Sequence, residues 1–280
     1  MASFSSTQNG DWNDPQTWGN PPGGEYPFKS GNNDTATVSA GHTVTITADN
    51  PQEALASGTV GVNGTLRLGP HSCSQRFCGG ITVNSGGTLE SEDSATAKKL
   101  DVIGDVQINS GGTFDWRKNT TLLFDNESQG QYGLDCQAGG NFYMEGTSSG
   151  TRDCVIRGVS SKEAFVTVDM GNFASAGEGS ITNATFEYCH QQNGTFRAGI
   201  SITRANNFYR GQFYLGSITV RYAASHGILF KDCTITTGSV SSTTSSGNAV
   251  EFMDSRIEGG GFYGTASSGR GINVIGGAMT

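Results

Sequence analysis

One short phrase keeps returning along this chain: an apolar residue, Asn with small residues and glycine, then threonine and a second apolar residue. It reads Val62-Asn63-Gly64-Thr65-Leu66, then Val83-Asn84-Ser85-Gly86-Gly87-Thr88-Leu89, then Ile108-Asn109-Ser110-Gly111-Gly112-Thr113-Phe114. A looser copy runs Cys136-Gln137-Ala138-Gly139-Gly140-Asn141-Phe142. Leu66, Leu89, Phe114 and Phe142 thereby recur at intervals in the twenties, the interval widening slightly from one copy to the next. Strand-like units with such a period describe a solenoid, in which each unit buries its apolar face by stacking on the next. Glycine supplies the positive φ that a tight turn needs, and the apolar residues on either side of it point inward at period two.

Composition supports strands over helices. Of 280 residues 42 are glycine and only 15% are charged, unlike the Ala/Leu/Glu/Lys-rich make-up of a helical protein. Regularly recurring Phe, Ile, Val, Leu and Tyr separate the chain from disordered sequences. The class expected is all-β. A net charge of −8 without any Lys/Arg cluster argues against nucleic acid and anionic membrane as partners. The sequence carries no apolar stretch of membrane-spanning length, so no membrane insertion is expected. Met1-Ala-Ser-Phe-Ser-Ser-Thr-Gln8 lacks the basic start and apolar run of a leader, which leaves release inside a virus particle or removal of a signal as routes outward.

The six cysteines, at 73, 78, 136, 154, 189 and 233, form no CxxC pattern, so neither a metal site nor any cofactor is expected. Cys73 and Cys78 flank a polar loop that a small disulfide could close; the other four read as buried thiols.

Residues 1–40 differ from the rest. They hold Trp12, Trp18 and Asn20-Pro21-Pro22-Gly23-Gly24, followed by Gly31-Asn32-Asn33-Asp34 and then Gly41-His42-Thr43-Val44. This string resembles the opening module of many β-helical surface proteins, including the cell-surface domain named for its eight glycines. Physically, the first turn of a solenoid exposes its interior and unpaired strand edges, and two large aromatics held by Pro/Gly turns make a lid. The division expected is a capping or attachment segment over 1–40 and a coil over 41–280.

Beyond residue 180 the phrase changes while the period persists. Ile181…Phe186, Ile202…Phe208, Phe230…Ile235, Phe252…Ile257 and Val274…Met279 each read apolar, four or five mostly polar or small residues, apolar. Strand, bend, strand at about this length resembles the right-handed parallel β-helix of the pectin-lyase-like superfamily. About ten coils, stacked at ~4.8 Å, make a rod about 45–50 Å long. The last unit is still in phase at Met279 with nothing polar, helical or aromatic after it, so a continuing chain or another subunit is expected to cover that end.

Many β-helices cleave polysaccharides, which takes two carboxyl groups about 5–10 Å apart. Asp232 and Asp254 share one phase of the repeat on consecutive units and are the catalytic candidates, although like charges at one bend more often mark a solvated edge. Ser225-His226-Gly227-Ile228 resembles the Gly-His-Gly-Ile of polygalacturonases, but that family's Asn-x-Asp and Asp-Asp partners are missing upstream. Binding is better supported. Tyr209, Tyr214 and Tyr222, interleaved with Arg210 and Arg221, offer aromatic faces on which sugars stack, unless they pack on a neighbouring subunit. The expectation is a structural, receptor-binding component of a phage tail fibre, tailspike or bacterial adhesin. It recognises a surface polysaccharide or other virion proteins, and it works in a virion or at a cell surface. The resemblance implies a homotrimer. The alternative is a polysaccharide hydrolase or lyase.

Overall fold

The computed structural model describes residues 2–29, 34–47, 58–70, 74–125, 131–137, 139–147, 153–159 and 164–168, and beyond these the strands between Gly179 and Met279 together with 271 and 276. The protein is all-β, a parallel solenoid whose described residues form three sheets with 8, 10 and 11 strands. Every recorded strand pairing is parallel, and each strand pairs with the equivalent strand one turn earlier or later, as in Thr65–Leu68 against Thr88–Ser91. The one helical element among the described residues is a single 3-10 turn, Pro15–Trp18.

The repeat seen in the sequence is the repeat of the structure. Leu66 pairs with Leu89, Leu89 with Phe114 and Phe114 with Phe142, one inward column of the 11-stranded sheet. Phe114 stacks on Phe142 with ring centroids 5.0 Å apart. Trp116 lies 5.0 Å from Phe114 in the same parallel orientation, and all three rings are buried. The 8-stranded sheet supplies the columns Val60, Ile81, Val106, Leu134 and Val62, Val83, Ile108, Cys136, and the 10-stranded sheet supplies Leu100, Leu122, Ile156. Because a solenoid wraps a single interior, these parallel strands alternate apolar-in and polar-out instead of running apolar on both faces.

The Asn-Ser-Gly-Gly-Thr phrase has a separate cause at each position. Gly86 and Gly111 sit at φ +79° and +76°, where side chains are strained. The glycine that follows is needed for space, since a Cβ on Gly87 would lie 2.2 Å from the Val62 carbonyl oxygen of the preceding turn. The asparagines stack: Asn84 Nδ2 donates to Asn63 Oδ1 at 2.8 Å, and Asn109 Nδ2 donates to Asn84 Oδ1 at 3.1 Å. Side-chain amides, with two donors and an acceptor, are suited to such a chain.

One unit in the second half is framed differently from the sequence expectation. Phe208 pairs with Ile181 and Phe230 in the 11-stranded sheet, whereas Phe213 pairs with Phe186 and Ile235 in the 10-stranded sheet. The unit is therefore Phe208…Phe213, not Ile202…Phe208; Ile202 itself lies outside the described residues. The five-residue span is the reason, because it matches Ile181…Phe186, Phe230…Ile235, Phe252…Ile257 and Val274…Met279, whereas Ile202…Phe208 is one residue longer. Ile235 and Ile257 are paired neighbours, as a constant step between units requires.

The N-terminal segment supplies the terminal strand of two sheets. Ser3–Ser5 pairs with Thr35–Val38, and Gly10–Asp11 with Thr43–Ile46, so residue 40 falls between two strands of one turn. Trp12 packs edge-on to Trp18 at 5.1 Å and stacks with Phe28 at 6.0 Å, and all three are buried. Trp18 Nε1 donates to the Trp12 carbonyl at 2.8 Å. The buried Asp34 carboxylate accepts from the backbone N–H of Ala2 and of Phe28. The Gly-His-Thr-Val string also finds a physical role, as His42 Nδ1 lies 3.0 Å from both the Ser6 hydroxyl and the Ser6 carbonyl.

Candidate functional site

A groove of about 400 Å³ opens where the 11-stranded sheet turns into the 10-stranded one, lined by Asp93, Arg117, Lys118, Glu145, Gly146 and Thr147. Its residues come from three successive turns. Asp93 follows the strand Thr88–Ser91, Arg117 and Lys118 close Thr113–Arg117, and Glu145 through Thr147 close Asn141–Glu145. At ~4.8 Å per strand the groove crosses about 10 Å of the solenoid axis.

Arg117 organises the groove. Its Nη2 donates to Asp115 Oδ2 at 2.7 Å, its Nε lies 2.7 Å from Asp115 Oδ1 as an ion pair without hydrogen-bond geometry, and Nη1 pairs with Glu145 Oε2 on the next strand. Its backbone N–H donates to Ser91 Oγ at 2.7 Å, tying the end of its strand to the turn below. Burial alone would lower the pKa of Arg117, but the hydrogen bonds and charges of Asp115 and Glu145 outweigh it and push it up. Lys118 Nζ pairs with Asp93 Oδ2 at 2.9 Å. On the far side Thr147 donates its backbone N–H and its hydroxyl to the two Asp153 oxygens at 2.7 and 2.6 Å. Asn119, at φ +55°, turns the chain after Lys118 and donates through Nδ2 to the Ser94 carbonyl.

The pairing continues along the outer face, where Arg67 Nε meets Glu90 Oε1 at 2.5 Å across two turns. What results is a polar strip in which Arg67 and Arg117 each meet a carboxylate of the next strand. Arg and Lys bring only donors and ionised carboxylates only acceptors, so the groove offers both kinds of partner within one side-chain reach. Among the described residues no group of three or more His, Cys, Asp or Glu is placed to hold a metal ion.

The residues singled out from the sequence lie elsewhere. Tyr209 is in the 11-stranded sheet, its backbone in register with Thr182 and Lys231. Tyr214, Arg221 and Tyr222 share the strand Gln212–Ala223 of the 10-stranded sheet. The run of strand from Tyr214 to Tyr222 amounts to roughly 26 Å of backbone. Closeness in sequence therefore does not gather these tyrosines at one spot of backbone. Arg210, Asp232 and Asp254 lie outside the described residues, as do Cys73 and Cys233. The flanking pairs Lys231–Met253 and Thr234–Arg256 keep the one-turn step on which the two aspartates were chosen. Cys136 and Cys154 are buried thiols, as expected; Cys154 Sγ donates to the Trp116 carbonyl at 3.2 Å, and burial pushes its pKa up.

The groove itself was missed in the sequence. Its signal is a pair of opposite charges set one repeat apart, Arg67 with Glu90 and again Arg117 with Glu145. Comparison with known proteins finds no matching family model, no similar curated protein and no similar solved structure. The parallel solenoid expected from the pectin-lyase-like resemblance is present, and the fold is as far as that likeness reaches.

Proposed function

We propose that this chain is a structural, receptor-binding component of a virion appendage, a phage tail fibre or tailspike, or of a cell-surface adhesin, and that it recognises surface glycans. The observation that carries the reading is the groove across three turns, with carboxylate, guanidinium, ammonium and hydroxyl groups on one stiff surface. A sugar chain presents hydroxyls that donate and accept, and it is held best by donors and acceptors fixed in advance on a rigid support. The solenoid is such a support, because each groove residue ends, or lies within two residues of the end of, a strand paired on both sides. Assembly as a homotrimer belongs to the same reading.

The test applies the purified chain to surface polysaccharide from candidate hosts, and reads retention on immobilised glycan together with reducing ends released. Retention without release, and a light-scattering mass of three chains, is the expected result. Release of reducing ends that Asp232→Ala abolishes would replace binding with polysaccharide cleavage. Absence of retention on every glycan would overturn the reading.

A further inference from the structure

We infer that the groove at Asp93, Arg117, Lys118, Glu145 and Thr147 selects an uncharged glycan and rejects an acidic one, an inference that rests on the glycan-binding reading above. The charge count comes first. Around the groove stand four carboxylates (Asp93, Asp115, Glu145 and Asp153) against two cations, Arg117 and Lys118. Both cations already face carboxylates of this chain. Arg117 is paired with Asp115, through a hydrogen bond to Oδ2, and with Glu145, and Lys118 is paired with Asp93 at 2.9 Å.

A uronate or sialate must therefore either displace a carboxylate from Arg117 or settle beside four like charges. Asp115 and Glu145 already give the guanidinium charge-assisted contacts on two sides, so a ligand carboxylate that displaced either would replace one such contact by another of the same kind and gain nothing from the exchange. An uncharged sugar faces no such conflict. Its hydroxyls donate to the carboxylates of Glu145 and Asp93, whose side chains are 61% and 63% exposed, and those oxygens are acceptors only. The Thr147 hydroxyl, already donating to Asp153, keeps its oxygen as an acceptor for one more sugar hydroxyl. Displacing groove water by groups that reproduce its hydrogen bonds is the route by which such a site gains affinity.

The experiment titrates the full chain with hexasaccharide probes of matched length: maltohexaose, cellohexaose, mannohexaose and N-acetylchitohexaose as uncharged probes, hexagalacturonate and a sialic acid hexamer as acidic ones. At least one uncharged probe is expected to bind about tenfold or more tighter than either acidic probe at low salt, with the gap narrowing as salt screens the carboxylates. The double variant Asp93→Asn, Glu145→Gln preserves side-chain shape and brings the count to two carboxylates against two cations. It should lose affinity for the uncharged probe and gain about tenfold for the acidic ones. Thr147→Ala, which leaves the charge count alone, should weaken the uncharged probe without changing the order of preference. Tighter binding of an acidic probe by the native chain, or an order of preference unmoved by the double variant, overturns the inference and leaves glycan recognition standing. Failure of every probe and of host polysaccharide to bind overturns both.

Discussion

At the corner where the 8-stranded sheet passes into the 11-stranded one, a four-residue step from Val62 to Leu66 is followed by the same six-residue step three times: Val83 to Leu89, Ile108 to Phe114 and Cys136 to Phe142. At the next corner, from the 11- to the 10-stranded sheet, the equivalent steps are irregular. Phe114 to Leu122 is the shortest of them, Leu89 to Leu100 is longer, and Phe142 to Ile156 is the longest. The first corner is held by backbone contact between turns, with glycine where a side chain would strike a carbonyl and an asparagine ladder beside it. The charged groove opens at this second corner. Farther along, the column that continues Trp116 and Met144 turns this corner in the regular five-residue bend of Phe230…Ile235 and Phe252…Ile257, where Met144 to Ile156 takes twelve. Uniform geometry accompanies structural necessity, and irregular geometry accompanies the charged groove.

Four measurements press on that contrast. The largest effect belongs to the regular corner. Gly87→Ala places a Cβ against the Val62 carbonyl and should cost about 2–3 kcal/mol in denaturant unfolding, as overpacking does. A cost under about half a kcal/mol would show that the turn shifts freely and would dissolve the distinction. The second tests whether the interior behind the widest corner is sealed. Cys154 stays a neutral thiol in the folded chain because burial raises its pKa, whereas in the unfolded chain it ionises near its ordinary value of 9.0. The unfolded state then loses a proton that the native state keeps, so stability falls as pH rises past about 9, by about 1.4 kcal/mol per unit for this group. Cys154→Ala should flatten that slope, and native Cys154 should resist thiol reagents until the chain unfolds.

Third, Asn84→Ala removes the donor to Asn63 and the acceptor for Asn109, and should cost about 1–2 kcal/mol. The smallest effect falls at the irregular corner. Lys118→Ala breaks the pair with Asp93 on an exposed surface and should change stability by no more than about 0.5 kcal/mol. A larger loss there would mean that the groove helps hold the fold together.

The contrast also explains what could be read from residues alone. The regular corner was legible because its requirements are steric and local: positive φ at Gly86 and Gly111, no room for a Cβ at Gly87, and an inward apolar residue after each threonine. The Leu66, Leu89, Phe114, Phe142 column followed from that phrase without further information. The unit at Phe208…Phe213 was misframed because an apolar pair one residue wider, Ile202 and Phe208, imitates the five-residue bend. The groove was illegible for a different reason. Arg117, Glu145, Asp93 and Lys118 belong to no repeated phrase, and their partnership exists only after the strands of successive turns have been brought into register. Attention to tyrosines near one another in the chain led instead to Tyr209, Tyr214 and Tyr222, which the strands distribute over two sheets.

The asparagine ladder also bears on chemical ageing. Asn63 precedes Gly64, the pairing most prone to succinimide closure, in which the following backbone nitrogen attacks the side-chain amide carbon. Here that nitrogen donates to the Val38 carbonyl at 3.1 Å, while the Asn63 amide oxygen is engaged by Asn84. Folding should therefore guard the site. Isoaspartate at residue 63, followed by peptide mapping, should accumulate slowly in the native chain and quickly once Asn84→Ala has released the side chain.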